Sequence, residues 1–373
     1  MLRAYKYRIY PNDEQMVYLA KTFGCARFVY NKMLAERIEI YETYKDDKEE
    51  LKKQKLPTPA KYKDEFVWLK EVDSLALANS QLNLDKAYRN FFRDKSVGFP
   101  NFKKKTNHNS YTTNNQNGTV YIDNNRIKLP KLKSMIKIKQ HRPFVGLIKS
   151  CTVSQVPSGK YFISILVDTE IIPLPKTERK IGIDLGIKEF AITSDGEVFS
   201  NPKYLKRSQG KLAKEQRKLS RMKEQAKKDK RKLSESKNYQ KQRIKVAKIH
   251  EKIANQRKDF LHKTSSQFIN ENQVVVIEDL KVSNMMKNHK LAKAISDVSW
   301  SEFRIMMEYK ASWYDREIIV APSNYASSQL CSSCGNKSSQ TKDLDCRVYV
   351  CPVCNLEIDR DYNASLNLLK LAI

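Results

Sequence analysis

The sequence predicts a mixed α/β protein in which a largely β N-terminal region, interrupted by a helical block, precedes an α/β domain. Three observations carry that prediction. Basic and apolar residues alternate in the opening AYKYRIYP and again through much of residues 110–170, the period of strands with one buried face. Between those stretches apolar residues recur at helical spacing. Beyond residue 180, two short apolar runs, KIGI and VVVI, each end in a carboxylate and are separated by a long charged segment.

Composition narrows the class. A chain of 373 residues with 40% hydrophobic residues can form two or three cored domains. A formal net charge of +28 points to a polyanionic partner. No run approaches the roughly 18 consecutive apolar residues of a membrane span, and no signal-peptide pattern follows Met1, so nucleic acid is the expected polyanion and no membrane partner is expected. Seven cysteines without a secretory signal suit a reducing compartment, where clustered thiols bind metal more often than they pair. The expected location is cytoplasmic.

Taken in order, AYKYRIYP reads as a strand with Lys6 and Arg8 on one face. Pro11, Asn12 and Asp13 start a helix whose apolar positions continue towards Tyr44. A second helix begins near Asp73 or Ser74, with Leu77, Leu84, Tyr88 and Phe91 along one stripe, and the helical block ends at VGFPNFKKK. VYIDNNRIKL is a hairpin about Asn124 and Asn125, MIKIKQ alternates, and VPSGKYFISILVD adds a turn at Ser158 and Gly159 and a further strand. The first strand is expected to join this β region, which makes the helical block an insertion. IIPLPKTERK is a linker; KIGIDLG is a strand and FAITSDGEVFS a hairpin turning at Asp195 and Gly196. Residues 203–263 hold 23 Lys/Arg against 6 Asp/Glu, a net +17. Val246, Ile249, Ile253 and Phe260 give this segment a packing stripe, while its remaining faces are expected to meet phosphates. QVVVIEDLKV has the β-branched run of a buried parallel strand, and a short helix from about Arg360 closes the chain. Lys6, Arg8, Lys103, Lys104, Lys105, Arg217, Arg221 and Arg243 are the candidate nucleic-acid contacts.

Two constellations carry chemistry. Cys331-x2-Cys334 and Cys351-x2-Cys354, sixteen residues apart, have the spacing of a tetrahedral four-thiolate zinc site, filled by protein and therefore structural. Cys346 lies between the pairs and competes as a ligand; Cys25 and Cys151 are expected as buried small hydrophobes. The second constellation is acidic: Asp184 after KIGI, Glu278 after VVVI, and Asp361 at the start of the last helix. Singly, each is an ordinary turn or cap residue. If the two strands are neighbours in one sheet, these carboxylates repel one another and call for a divalent cation, the arrangement that two-metal phosphodiester cleavage uses. Strand alternation allows only one of Glu278 and Asp279 to serve.

KIGIDLGIKEFAIT, VVVIEDLKV, CSSCGNKS, CPVC and IDRDYNAS, in this order, resemble the split RuvC-like nuclease of TnpB proteins. These are RNA-guided DNA endonucleases of bacterial and archaeal insertion sequences, related to type V CRISPR effectors. YKYRIYPNDEQ, AYRNFF, GFPNFKKK and NHKLAKAISDVSW extend the resemblance over nearly the whole chain. It implies an RNase H-like (RuvC) nuclease domain at 177–322 and 356–373 with a zinc ribbon inserted at 323–355. It further implies a β-barrel wedge domain at 1–10 and 108–176 that carries a helical recognition domain at 11–107. By the same resemblance Asp184, Glu278 and Asp361 match three catalytic acids that hold two Mg2+ ions, Asp361 as the second Asp of D-R-D-x-N, beside one structural Zn2+. The implied partners are a guide RNA derived from the transposon end and a target DNA cut beside a short adjacent motif. The protein is expected as a monomer in that ribonucleoprotein, in the prokaryotic cytoplasm and associated with the nucleoid. Relatives that have lost acids act as guided repressors, and a transposase is a further alternative; all three acids are present here.

Overall fold

The computed structural model describes residues 1–105, 109–338 and 346–372. The chain divides into two compact units, Met1–Glu170 and Ile171–Ile373. The expected domain boundary at 107/108 lies outside the described residues.

The first unit opens with β1 (Leu2–Tyr10), followed by α1 (Asp13–Tyr44), the short helices α2 (Lys48–Lys53) and α3 (Pro59–Glu65), and α4 (Ser74–Arg93). Then come β2 (Asn109–Asn114), β3 (Tyr121–Asp123), β4 (Arg126–Lys128), β5 (Ile136–Lys139), β6 (Leu147–Gln155) and β7 (Tyr161–Asp168). Asn12 starts α1 with a reciprocal cap: its side chain accepts from Gln15 N at 2.9 Å while Gln15 Oε1 accepts from Asn12 N at 3.0 Å, an arrangement that contributes about 1 kcal/mol. Asp73 caps α4 by accepting from Leu75 N at 3.2 Å, and it also takes the Thr113 hydroxyl of β2.

The seven strands form one sheet in the order β2-β6-β7-β1-β5-β4-β3. β1 thus lies in its middle, antiparallel to both β7 and β5, and the helices α1–α4 are inserted between β1 and β2. Tyr5, Tyr7, Ile9, Ile127, Ile136, Ile138, Val153, Ile163 and Ile165 meet with Leu19 and Phe23 of α1 in one core, so the sheet curls around its own apolar face. Among the described residues no ladder joins the edge strands β2 and β3, and hydrogen bonding does not close the expected barrel. The hairpin at Asn124 and Asn125 forms with both residues in the left-handed region, φ 46° and 57°, as a two-residue turn between twisted strands requires. β6 had no distinct strand signal: LIKSCTVSQ alternates polar with weakly apolar residues and is buried only at Cys151 and Val153.

The second unit contains β8 (Lys180–Leu185), β9 (Glu189–Thr193), β10 (Val198–Ser200), α5 (Tyr204–Lys228), α6 (Lys237–Glu271), β11 (Val274–Ile277), α7 (Val282–Met285), α8 (Ala292–Val298), α9 (Trp300–Tyr314), β12 (Glu317–Val320), β13 (Val348–Val350), β14 (Glu357–Asp359) and α10 (Arg360–Leu369). Its main sheet has the order β10-β9-β8-β11-β12, in which β8, β11 and β12 run parallel. β11 is buried at all four positions, as a β-branched run covered on both faces must be. α6 and α9 cover one face, contributing Leu261, Phe268, Phe303 and Met307 to the core. α10 covers the other.

The basic segment differs from the single stretch expected at 203–263. It is two helices, α5 and α6, and α6 runs on to Glu271. The break falls at Asp229–Ser236, where KKDKRK offers no apolar residue to continue the stripe and Lys230 turns left-handed with φ 50°. Leu212 of α5 and Gln242, Val246 and Ile253 of α6 are buried, and Gln242 Nε2 donates to Glu215 Oε2 at 2.7 Å across the pair. Among the described residues no helix is long and apolar enough to cross a membrane.

Candidate active site and metal centre

Three segments remote in sequence bring the predicted acids together. β8 and β11 run parallel with Ile183 registered against Ile277, so Asp184 and Glu278 follow at the same level on neighbouring strands. Alternation sorts their side chains. Ile181, Ile183 and Leu185 enter the core beneath α6 and α9, which leaves Gly182 and Asp184 on the face that α10 covers. The contact there is close: a Cβ on Gly182 would lie 2.1 Å from the Ser365 carbonyl oxygen and 2.5 Å from Leu369 N. Only glycine admits a helix at that distance. Lys180 Nζ donates to Ala372 O at 2.7 Å, so α10 runs antiparallel to β8 and its first turn lies towards Asp184. Asp361 stands four residues, about 6 Å, before Ser365 on the same helix face. Asp184 stands two residues, about 6.6 Å, beyond Gly182. The two carboxylates therefore point towards one region, near enough for the charge of Asp361 to act on Asp184, although the oxygens of the three acids are not all within 4.8 Å of one another as the four sulfurs are.

β11 follows the same rule. Val275 and Ile277 face the α6–α9 core, whereas Val274 and Val276 pack against Leu368 of α10. Glu278 continues the second set. Asp279 falls on the opposite side, where Arg304 Nη1 of α9 holds it at 2.7 Å. Asp359 is occupied as the cap of α10, accepting from Asp361 N at 3.0 Å and Tyr362 N at 2.9 Å.

The electrostatics follow from this convergence. Burial pushes the Asp184 carboxyl well above the ordinary range, and the charges of Glu278 and Asp361 push it further. Glu278 is raised by burial and by Asp361, against a hydrogen bond from the Ser327 hydroxyl. Asp361 is raised by burial and by Asp359, against Arg347, whose Nη1 stands 3.6 Å from Asp361 Oδ2. Arg360 opposes the shift at all three acids and Arg347 at Asp361, yet the net direction stays upward, and such a cluster of hard oxygen donors fits a divalent cation such as Mg2+.

The cysteine cluster is tighter. All four sulfurs of Cys331, Cys334, Cys351 and Cys354 lie within 4.8 Å of one another, with Cys331–Cys354 and Cys334–Cys351 at 3.5 Å. Zinc–thiolate bonds of about 2.3 Å put tetrahedral sulfurs about 3.8 Å apart, so the cluster fits one zinc ion. Backbone N–H groups of Cys354 and Val353 pull the Cys351 thiol down to about 6, while burial and hydrogen bonds to the other three sulfurs push Cys334 up to about 12, so the cluster shares protons that a bound metal would displace. Tyr349 is buried beneath the cluster with Cys331 and Cys351. Cys346 is not part of it: its sulfur faces Val348 O at 3.2 Å. Burial pushes the Cys25 and Cys151 thiols up to about 11 and about 12, as expected of inert core residues.

Of the predicted nucleic-acid contacts in the first unit, Lys6 is exposed on β1 with its Nζ 5.0 Å from the Phe162 ring centroid. Arg8 is half-buried over Tyr10, 4.7 Å from its ring centroid. Lys103, Lys104 and Lys105 are exposed, and Asn31 grips the Lys103 backbone at 2.8 and 2.9 Å. In the second unit Arg217, Arg221 and Arg243 are exposed on α5 and α6. Sequence reasoning missed Gly182, Ser327, Arg347 and Asn363. Gly182 left a signal, an isolated glycine inside an apolar strand, which marks close backbone approach. The other three left none, because their partners are 14 to 49 residues away.

Comparisons with known proteins agree with this architecture. The OrfB_IS605 family, described as a probable transposase, matches residues 162–289, and a Cas12f1-like TNB domain matches residues 300–368. A helix-turn-helix domain matches residues 1–46, although those residues fold as β1 and the unbroken α1. A Streptomyces pristinaespiralis protein bearing the name "Putative RNA-guided DNA endonuclease" is 38% identical over 100% of this chain and 89% of its own. An Escherichia coli K12 protein of the same description, InsQ, is 33% identical over 99% of this chain and 92% of its own. Among solved structures, the protein of a Cas12f1–sgRNA–target DNA complex shares the fold with a TM-score of 0.60 at 14% identity, covering 99% of this chain and 98% of that one. With relatives this similar along its whole length, the chain belongs to the OrfB_IS605 family of insertion-sequence proteins, the TnpB family.

Proposed function

We propose that this protein is an RNA-guided DNA endonuclease of a transposable element, with Asp184, Glu278 and Asp361 as its catalytic acids. The convergence of three acids on one side of a parallel strand pair, in a chain of this family, carries the reading. Two Mg2+ ions, when bound, would supply water activation and stabilisation of the leaving oxygen. The three carboxylates would hold those ions, whose charge would offset the burial and the neighbouring acids that raise them. Pairing between guide and target strand supplies sequence recognition, so the protein has only to grip a backbone of fixed shape. The +28 excess suits that task, with the exposed arginines and lysines of α5 and α6 and the cations of Lys6, Arg8 and Lys103–Lys105 as contacts. On this reading residues 1–10 and 108–176 are the wedge, 11–107 the recognition domain, 323–355 a structural zinc ribbon, and 177–322 with 356–373 the RuvC-like nuclease.

Sequencing the RNA that copurifies tests the reading. One abundant RNA should appear, and DNA matched to its guide segment should be cut in Mg2+ by the wild type but only bound by Asp184→Ala. An active preparation free of nucleic acid, or unimpaired cutting by Asp184→Ala, Glu278→Ala and Asp361→Ala, refutes it. A guided binder that does not cut is disfavoured, because all three acids are present and converge.

A further inference from the structure

The first cysteine pair and two of the acids, Glu278 directly and Asp361 through the α10 that carries it, are joined by a short, buried set of hydrogen bonds running through the segment that enters that pair. Ser327, 4% exposed, donates its hydroxyl to Glu278 Oε1. The carbonyl of the same residue accepts from Asn367 Nδ2 of α10 at 2.9 Å. Three residues on, Leu330 O accepts from Asn363 Nδ2 at 2.7 Å and from Asn367 Nδ2 at 2.6 Å. Ser332 N, directly after Cys331, donates to Asn363 Oδ1 at 2.9 Å, and Ser332 O accepts from Lys370 Nζ at 2.6 Å. Asn363 and Asn367 are 0% and 1% exposed. They lie one helical turn apart on α10, and Asn363 follows Asp361 by two residues.

Such amides are expensive to bury unless fully used. Here each is spent on the backbone flanking a metal-type cysteine and none on a neighbouring helix. From this we infer that Ser327, Asn363 and Asn367 are positioning residues, through which the zinc-bound knuckle at Cys331 sets the places of Glu278 and Asp361. The inference deepens the proposed nuclease reading and rests on it. Zinc, when bound, would fix Cys331 and with it the turn segment Ser327–Ser332; that segment orients Glu278 through one hydroxyl and registers α10 through two amides. Hydrogen-bonded partners behind metal ligands are worth about 10- to 100-fold in metal affinity or activity. The consequence is a conditional site: loss of zinc loosens two of the three acids while leaving the basic surfaces untouched.

The test compares Ser327→Thr with Ser327→Val, side chains of one shape that differ by the hydroxyl. Two readouts are taken on the full-length protein: Mn2+ binding by calorimetry in Mg2+-free buffer, and the Mg2+ concentration for half-maximal cutting of matched DNA by the ribonucleoprotein. The valine variant should need about 10-fold more of either metal, with unchanged zinc content and target binding, and the threonine variant should stay near wild type. Equal behaviour of the two variants overturns the role of Ser327. For the knuckle, Asn363→Ala, Cys334→Ser and the double variant form a cycle. If zinc acts through Asn363, the double variant weakens Mn2+ binding no more than the worse single one; independent, multiplying losses overturn the coupling. Because Mn2+ binding is measured without DNA, a wild type that fails to cut sinks the nuclease reading and still leaves this inference decided.

Discussion

Replacing Gly182 by alanine inserts one methyl group between β8 and α10, the contact on which the meeting of Asp184 and Asp361 depends. The new Cβ would lie 2.1 Å from Ser365 O, 2.5 Å from Leu369 N and 3.1 Å from Leu369 Cα. These are backbone atoms of a helix and cannot rotate aside. To restore even a 3.0 Å separation, α10 must retreat by about 0.9 Å, and it is pinned on its other side by Asn363 and Asn367. Overpacking of this kind costs about 1–3 kcal/mol, so the melting temperature should fall. The retreat carries Asp361 with it. Misplacing a catalytic group by about 1 Å costs on the order of 100-fold in rate, so Gly182→Ala should cut matched DNA at least that much more slowly. Guide RNA retention should not change, since the basic surfaces are elsewhere. Single-turnover cleavage with excess ribonucleoprotein isolates the chemical step from product release. Cutting at the wild-type rate would refute the claim that the α10–β8 distance places Asp361.

Other expectations rest on other parts of the structure. Asp184, Glu278 and Asp361 all have raised carboxyl pKa values, so their stabilising contribution is complete below the ordinary carboxylate range near pH 4 and is lost as pH rises through the raised values. In Mg2+-free buffer Asp184→Asn should therefore melt higher than wild type at pH 7 and converge with it near pH 4; superimposable melting profiles across that range would contradict the shared-charge picture. Cys331→Ser should abolish a one-to-one zinc content and lower the cleavage rate, and zinc-free wild-type protein by elemental analysis would remove the metal centre. If six or more phosphates are gripped, nucleic-acid affinity should fall about 10³-fold or more between 50 and 200 mM salt, whereas a flat salt response would rule out α5 and α6 as a phosphate-binding surface.

Much of the architecture was legible from local chemistry. Asn12 and Asp73 announce their helices because a cap needs only neighbours in sequence. The hairpins at Asn124–Asn125 and Asp195–Gly196 follow from left-handed turn residues, and the cysteine spacing specifies a four-thiolate site because each pair brings two sulfurs from one turn. Where local signals conflict or fade, the reading falters. LIKSCTVSQ pairs with β7 from end to end apart from a bulge at Lys149 despite weak alternation, since a strand between two others gains its stability from both ladders. The basic segment reads as one helix because charge runs carry no stop signal, yet it folds back on itself at Asp229–Ser236.

The pairing of the four thiols, and the rule that only one of Glu278 and Asp279 can share a face with Asp184, were contained in the primary structure, because strand alternation and ligand spacing are properties of consecutive residues; the resemblance to TnpB motifs pointed to Asp184, Glu278 and Asp361. Their convergence was not. It depends on which strands become neighbours, on the one glycine that lets α10 close on β8, and on Ser327, Asn363 and Arg347 reaching acids and knuckles through space. Those contacts arise between segments whose separation in the chain carries no information about distance, so only the folded molecule decides them.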